Sequence, residues 1–186
     1  MTRQTPTTVV RGINDRLVAP GAAGSELLVT YAAAAAGSVF AVALAAGAGW
    51  PVLALIVIAV VAFDQFGGAV ANATPAAKRR FHGPGRSGRH HLAFVAAHVQ
   101  PFVLALAVPG FGWVTAVAVY GLVLAAALVV LAVPHVLRRP VAFATTVLAA
   151  AAALTILTVP DPLAWFAPVT LIKLLLGHLL PGEESS

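Results

Sequence analysis

Three ionisable side chains lie deep within apolar stretches of the sequence, where they could carry out acid–base chemistry. Asp64, His98 and Lys173 belong to three separate stretches. A charged side chain at the centre of a lipid-facing helix costs roughly 2.5–3.5 kcal/mol on insertion scales, so such residues face protein or water and are candidates for function. Carboxylates and imidazoles are common general acids and bases. We therefore expect Asp64 and His98 to act as the catalytic pair.

The residues around these three groups are expected to orient them or to stabilise charge. Asn72 lies two turns beyond Asp64, and Lys173 reaches a similar depth from another stretch. Opposite charges at one depth in a low dielectric should pair where geometry allows, so a structural Asp64–Lys173 ion pair is the simplest interpretation. Gly67 and Gly68 share the helical face of Asp64, which favours a packed inner position for the carboxylate.

A histidine-rich segment raises the hypothesis of a bound metal. Four of the six histidines fall within 17 residues: His82, His90, His91 and His98. Together with Asp64, the residues His82, His91 and His98 could ligate a divalent metal. A haem held by His98 and His178 is a second hypothesis. The spacing argues against the simplest site, because His91 and His98 would lie about 10.5 Å apart along one helix. Hydrogen-bonded or interfacial histidines are the alternative.

The composition places this chemistry in a membrane protein. The chain has 186 residues, of which 60% are hydrophobic and only 9% are charged. Soluble domains have roughly 45–50% apolar and about 25% charged residues, and disordered chains are poor in apolar residues. The absence of cysteine excludes disulfides, thiolate ligands and a cysteine nucleophile.

Six apolar stretches are long enough to cross a bilayer as helices, which takes roughly 20 residues each. Their approximate bounds are 27–48, 51–73, 91–109, 112–133, 140–159 and 162–180. We expect an all-α polytopic fold with a cytoplasmic arm (1–26), a single six-helix transmembrane domain (27–180) and a cytoplasmic tail (181–186).

Arginine and lysine set the orientation of these spans, because cytoplasmic loops carry an excess of both. They lie before the first span, between the second and third, and between the fourth and fifth, at Arg3, Arg11, Arg16, Lys78, Arg79, Arg80, Arg86, Arg89, Arg138 and Arg139. The other three connections have none. This bias predicts cytoplasmic N- and C-termini, in a bacterial plasma membrane. Trp50, Trp113 and Trp165 then fall near the outer interface.

The connection between the second and third spans is the most basic. Five of its cations are expected to contact anionic headgroups at the inner face: Lys78, Arg79, Arg80, Arg86 and Arg89. A purely topogenic role is the alternative. Nucleic-acid partners are not expected, since no recognition module is present.

Polar residues concentrate in the half of the membrane that faces the cytoplasm, which predicts a polar chamber open to that side. The leading hypothesis is a membrane-embedded enzyme acting on a lipid-soluble substrate. A small transporter or proton-coupled conduit is one alternative, and a homo-oligomer would offset its small size. A non-catalytic assembly or cofactor-binding subunit of a membrane complex is another. The sequence does not identify the substrate.

Overall fold

The computed structural model describes residues 12, 14, 15 and 17–182, and this part of the chain is helical without strands. Helices contain 79% of it. The α-helices are α1 (Gly24–Ala45), α2 (Val52–Ala73), α3 (Pro75–His82), α4 (Gly88–Ala96), α5 (Gln100–Ala107), α6 (Trp113–Ala132), α7 (His135–Ile156) and α8 (Phe166–Leu171). A π-helix, Ile172–His178, continues α8. Short 3₁₀ turns cover Ala46–Ala48 and Asp161–Leu163.

Within the described part of the chain, five helical stretches are long and apolar enough to cross a membrane, so the chain fits an integral membrane protein. They are Gly24–Ala48, Val52–Ala73, Gly88–Ala107, Trp113–Ala132 and His135–Ile156. Each overlaps one of the first five predicted spans. The structure does not describe Arg3, Arg11 and Arg16, for which the sequence predicts a cytoplasmic position. The predicted tail residues 183–186 also lie outside the described part of the chain.

The structure adds a helix to one predicted connection and moves the start of one predicted span. The connection after α2 contains helix α3, in which Thr74 caps the first turn by accepting a hydrogen bond from the Ala77 amide at 3.2 Å, and Pro75 follows at the first position. This Thr-Pro pair is a typical helix start. Helix α7 begins at His135, so Pro140 lies inside it rather than at its start.

The third apolar stretch is interrupted between α4 and α5 because Pro101 has no amide proton to continue the helix. The Ala97 carbonyl, to which Pro101 cannot donate, accepts a hydrogen bond from the Val99 amide at 3.0 Å instead. The Tyr120 hydroxyl donates to the neighbouring Ala96 carbonyl at 2.8 Å. Protein groups thus satisfy the backbone at the interruption, as an apolar environment requires.

The sixth apolar stretch forms the interior of the bundle. Its helical part is divided between α8 and the π-helix, and most of its side chains are buried. At one end, Phe166 packs edge-on against Phe111 in the α5–α6 connection, with ring centroids 6.1 Å apart. At the other end, the amine of Lys78 on α3 donates to the carbonyls of Gly177 and Leu180.

Small residues allow the two N-terminal helices to pack closely. A Cβ atom placed on Gly67 of α2 would approach the Cβ of Ala34 on α1 to 2.7 Å. The ring of Phe66 in turn occupies the space beside Gly37. Close helix packing through glycine and alanine is typical of membrane proteins, because lipid provides no hydrophobic drive between helices. The sixth stretch packs against a different face of α2, where Gly68 contacts Lys173.

Candidate functional site

An ion pair joins α2 to the π-helix. The Lys173 amine lies 2.7 Å from Oδ2 of Asp64 and also donates to the Asp64 carbonyl at 3.2 Å. The predicted pairing of these two charges is therefore confirmed. The pair is asymmetric, since the lysine side chain is 3% exposed and the aspartate side chain is 47% exposed.

The local sequence of α2 makes room for the lysine. A Cβ atom at Gly68 would come within 2.8 Å of the Lys173 amine, so a larger residue would displace the side chain. One turn further along, the buried amide of Asn72 donates to the Lys173 carbonyl at 3.3 Å. Asn72 thus holds the backbone of the residue that bonds to Asp64.

Gln100, at the start of α5, is a second donor to the carboxylate. Its amide nitrogen donates to Oδ2 of Asp64 at 2.9 Å, while its own Oε1 is buried without a hydrogen-bond partner. Gln100 was not among the site residues expected from the sequence. Its position directly before Pro101, where a helix break is expected, could have identified it as a candidate.

His98 lies at the same interruption between α4 and α5. Its Nδ1 is 2.7 Å from the Phe94 carbonyl. A carbonyl only accepts, so Nδ1 carries the proton, and Nε2 of the neutral ring remains an acceptor. His98 interacts electrostatically with both Lys173 and Asp64. The structure therefore brings together the predicted catalytic residues Asp64, His98, Lys173 and Asn72 with Gln100.

The open side of Asp64 is the outer surface of the bundle. Exposed apolar side chains flank it on α2 and beside the start of α5: Val60, Phe63, Val99 and Val103. The sequence predicted instead that the carboxylate faces a packed inner surface. That prediction was wrong because Gly67 and Gly68 serve contacts with Ala34 and Lys173, which leave the carboxylate at the edge of this packing.

Three other histidines form a separate cluster near α3. Nδ1 of His91 lies 3.1 Å from Nε2 of His178, and Nε2 of His82 lies 2.9 Å from the His178 carbonyl. The Phe94 ring stacks on His178 with centroids 3.8 Å apart. His178 is 2% exposed. Of the predicted metal ligands, His98 thus lies with Asp64, whereas His82 and His91 lie with His178.

The described residues contain no group of three or more His, Asp or Glu side chains that could hold a metal ion. In the histidine cluster, nitrogen atoms of His91 and His178 bond to each other and one of His82 bonds to a carbonyl, rather than converging on one point. Metal and haem binding remain predictions from the sequence.

Two of the five cations expected at lipid headgroups make bonds within the protein. Lys78 bonds to the end of the π-helix, and burial lowers its pKa to about 8. Arg80 donates to the Asp15 carbonyl at 2.7 Å. The remaining three, Arg79, Arg86 and Arg89, are exposed. Burial likewise lowers the pKa of His82 on the same helix, so this end of the bundle disfavours additional positive charge.

No family model matches the chain, and no similar curated protein or solved structure was found.

We predict that the ion pair is energetically coupled. Asp64→Asn leaves the Lys173 charge buried without a counter-charge, and removing one partner of a buried pair costs about 3–5 kcal/mol. Because Asp64 is half exposed, we expect the lower end of this range. Lys173→Met should also destabilise, whereas the double variant Asp64→Asn/Lys173→Met should recover most of the loss. Thermal unfolding in detergent measures these effects.

Asp161→Asn provides the matched control, since this exposed carboxylate lies in the short turn before α8 and should have little effect. Strictly additive losses in the double variant would contradict the coupling.

Proposed function

We propose that the chain is a membrane-embedded enzyme in which Asp64 exchanges a proton with a lipid-soluble substrate. The observation that carries this proposal is the 47% exposure of the Asp64 side chain beside a partner that is only 3% exposed. In a purely structural ion pair within a membrane, we would expect both charges to be enclosed by protein, which keeps them away from lipid. Here one oxygen of the carboxylate remains open among exposed apolar side chains, where a charge is costly. A substrate dissolved in the bilayer could reach it without entering water.

The surrounding groups supply the parts that an acid–base step needs. Lys173 and Gln100 both bond to Oδ2, which fixes the orientation of the carboxylate. The other oxygen, Oδ1, is then positioned to take a proton from the substrate. Nε2 of His98 offers a second proton-accepting atom, and Asn72 holds the backbone that carries Lys173. General acid–base catalysis by positioned groups of this kind typically contributes 10²–10⁴-fold in rate.

The opposite end of the bundle argues against a through-going conduit. Its described core side chains are apolar and include Ile58, Leu104, Phe111 and Phe166. A cavity of about 80 Å³ near Asp161 is lined mainly by apolar residues of the same end. An intramembrane site served from one side fits this arrangement better than transport.

We further propose that the sixth stretch crosses the bundle, which gives six crossings with both termini cytoplasmic, in a bacterial plasma membrane. Its contacts with Phe111 at one end and with Lys78 at the other support this. The exposed cations Arg79, Arg86 and Arg89 belong to the Lys78 end, where they would meet anionic headgroups.

This topology predicts the reactivity of introduced cysteines, because the native chain has none. In intact cells, a membrane-impermeant maleimide should label Ala48→Cys and Asp161→Cys. It should label Ser87→Cys and Gly182→Cys only after the membrane is opened. Labelling of Gly182→Cys in intact cells would contradict a sixth crossing. The native chain, which has no cysteine, measures the background labelling.

A lipophilic carbodiimide should modify Asp64 in lipid nanodiscs. The reagent adds to a protonated carboxyl group and rearranges to an N-acylurea, or the Lys173 amine displaces the urea to give an amide. We expect Asp64 to react at least tenfold faster than Asp161 with this reagent, and the order to reverse with a water-soluble carbodiimide. Peptide mass spectrometry identifies both products.

Lys173→Met is the matched variant, since it should abolish the amide and retain the acylurea. Failure of the lipophilic reagent to modify Asp64, while Asp161 reacts normally, would show that another protein or a second copy covers the carboxylate. That result would contradict an open site.

Turnover is tested in lipid extracts of cells that express the protein. Mass spectra of cells with the native chain should differ from those of empty-vector cells in at least one lipid-soluble compound. Asp161→Asn should retain the difference, and Asp64→Asn, expressed at an equal level, should lose it. Equal spectra for the native chain and Asp64→Asn would contradict catalysis at Asp64.

A further inference from the structure

We infer that the site at Asp64 selects a molecule with a neutral hydroxyl head group and an apolar chain. This inference rests on the proposed function and specifies its substrate class. The juxtaposition that supports it is that of Asp64, Gln100 and the nearby His98, each of which has one hydrogen-bond acceptor without a partner among the described residues. These acceptors are complementary to a donor.

The first acceptor is Oδ1 of Asp64. Both protein donors to this carboxylate side chain, Lys173 and Gln100, bond to Oδ2. A carboxylate accepts through both oxygens, with about four lone-pair sites. The side chain is open to the bundle surface on the side that these donors do not cover.

The second acceptor is Oε1 of Gln100. The amide orientation is fixed because Nε2 must donate to Asp64 at 2.9 Å, which leaves the oxygen as the free end. This oxygen is buried and has no hydrogen-bond partner in the described part of the protein. An unsatisfied buried polar atom costs about 1–3 kcal/mol, which a ligand that donates to it would recover.

The third acceptor is Nε2 of His98. The bond from Nδ1 to the Phe94 carbonyl fixes the tautomer of the neutral ring, so Nε2 has a lone pair and no proton. His98 is only two residues before Gln100 and interacts electrostatically with Asp64. One hydroxyl group donates a single hydrogen bond, so the three acceptors would share a hydroxyl or receive a diol.

The charge balance of the site favours a neutral head group. Asp64 and Lys173 already compensate each other, and both bonds from the lysine amine go to Asp64. A phosphate or carboxylate would meet unpaired acceptors and find the lysine engaged. An ammonium group would bring a net charge into an apolar environment, where an uncompensated ion is costly.

The chain attached to the hydroxyl must be apolar, because the side chains around the opening are. Val60 and Phe63 on α2 are 64% and 41% exposed, and Val99 and Val103 flank the other side. A long-chain alcohol lying along these side chains would place its hydroxyl at the carboxylate while its tail stays in the bilayer.

Photolabelling with a matched pair of probes tests this inference. The first probe is a long-chain primary alcohol with a diazirine close to the hydroxyl, and the second is its methyl ether, which accepts but cannot donate. With the native chain in lipid nanodiscs, we expect the alcohol to label peptides containing residues 60–64 or 99–103 at least fivefold more than the ether does. Excess unlabelled alcohol should compete, and its unlabelled ether should not.

His98→Phe, which keeps an aromatic ring and removes the acceptor, should reduce labelling by the alcohol several-fold. The control is His135→Phe, an exposed histidine at the start of α7. Gln100→Met is the second variant if His98→Phe does not fold by size-exclusion chromatography. Equal labelling by alcohol and ether, or stronger labelling by the corresponding amine, would overturn the inference. If the carbodiimide still modifies Asp64 in that case, the proposed open site survives and only its substrate class is wrong.

Discussion

The structure of the site depends on how one lysine is accommodated inside the bundle. The Lys173 side chain is 3% exposed, and a buried ammonium group is tolerated only with a counter-charge and hydrogen bonds. Asp64 supplies both, through its carboxylate and its backbone carbonyl. Gly68 leaves room for this geometry, because a side chain there would displace the end of the lysine. The ion pair therefore fixes how α2 lies against the sixth apolar stretch.

Two departures from regular α-helix meet at this pair. Lys173 lies on the π-helix, and Gln100 begins α5 directly after the interruption between α4 and α5. Irregular backbone at membrane depth is tolerated where protein buries it, and π-helical segments occur frequently at functional sites. Here Asn72 bonds the Lys173 carbonyl and Tyr120 bonds the Ala96 carbonyl. The polar side chains on α2 and α6 thus stabilise the backbone that presents the site.

The sequence predicted those features that follow from local composition. Apolar length identified the five long helices, and matching depth identified Asp64 and Lys173 as partners. The sequence could not predict the π-helix, since hydropathy is insensitive to hydrogen-bond register. It also could not predict which face of α2 meets α1. Gly67 and Gly68 are adjacent, yet one faces Ala34 and the other faces Lys173. The exposure of Asp64 follows from that division, which only tertiary packing determines.

The two partners of the ion pair differ in exposure, since the side chain of Lys173 is 3% exposed and that of Asp64 is 47% exposed. The amide nitrogen of Gln100 donates to Oδ2, and its own oxygen is buried without a partner in the described part of the protein. An unpaired buried acceptor costs about 1–3 kcal/mol, which a donor from the membrane would offset. Oδ1 of Asp64 and Oε1 of Gln100 thus both lack a hydrogen-bond donor among the described residues. A single ligand that donates hydrogen bonds would satisfy both.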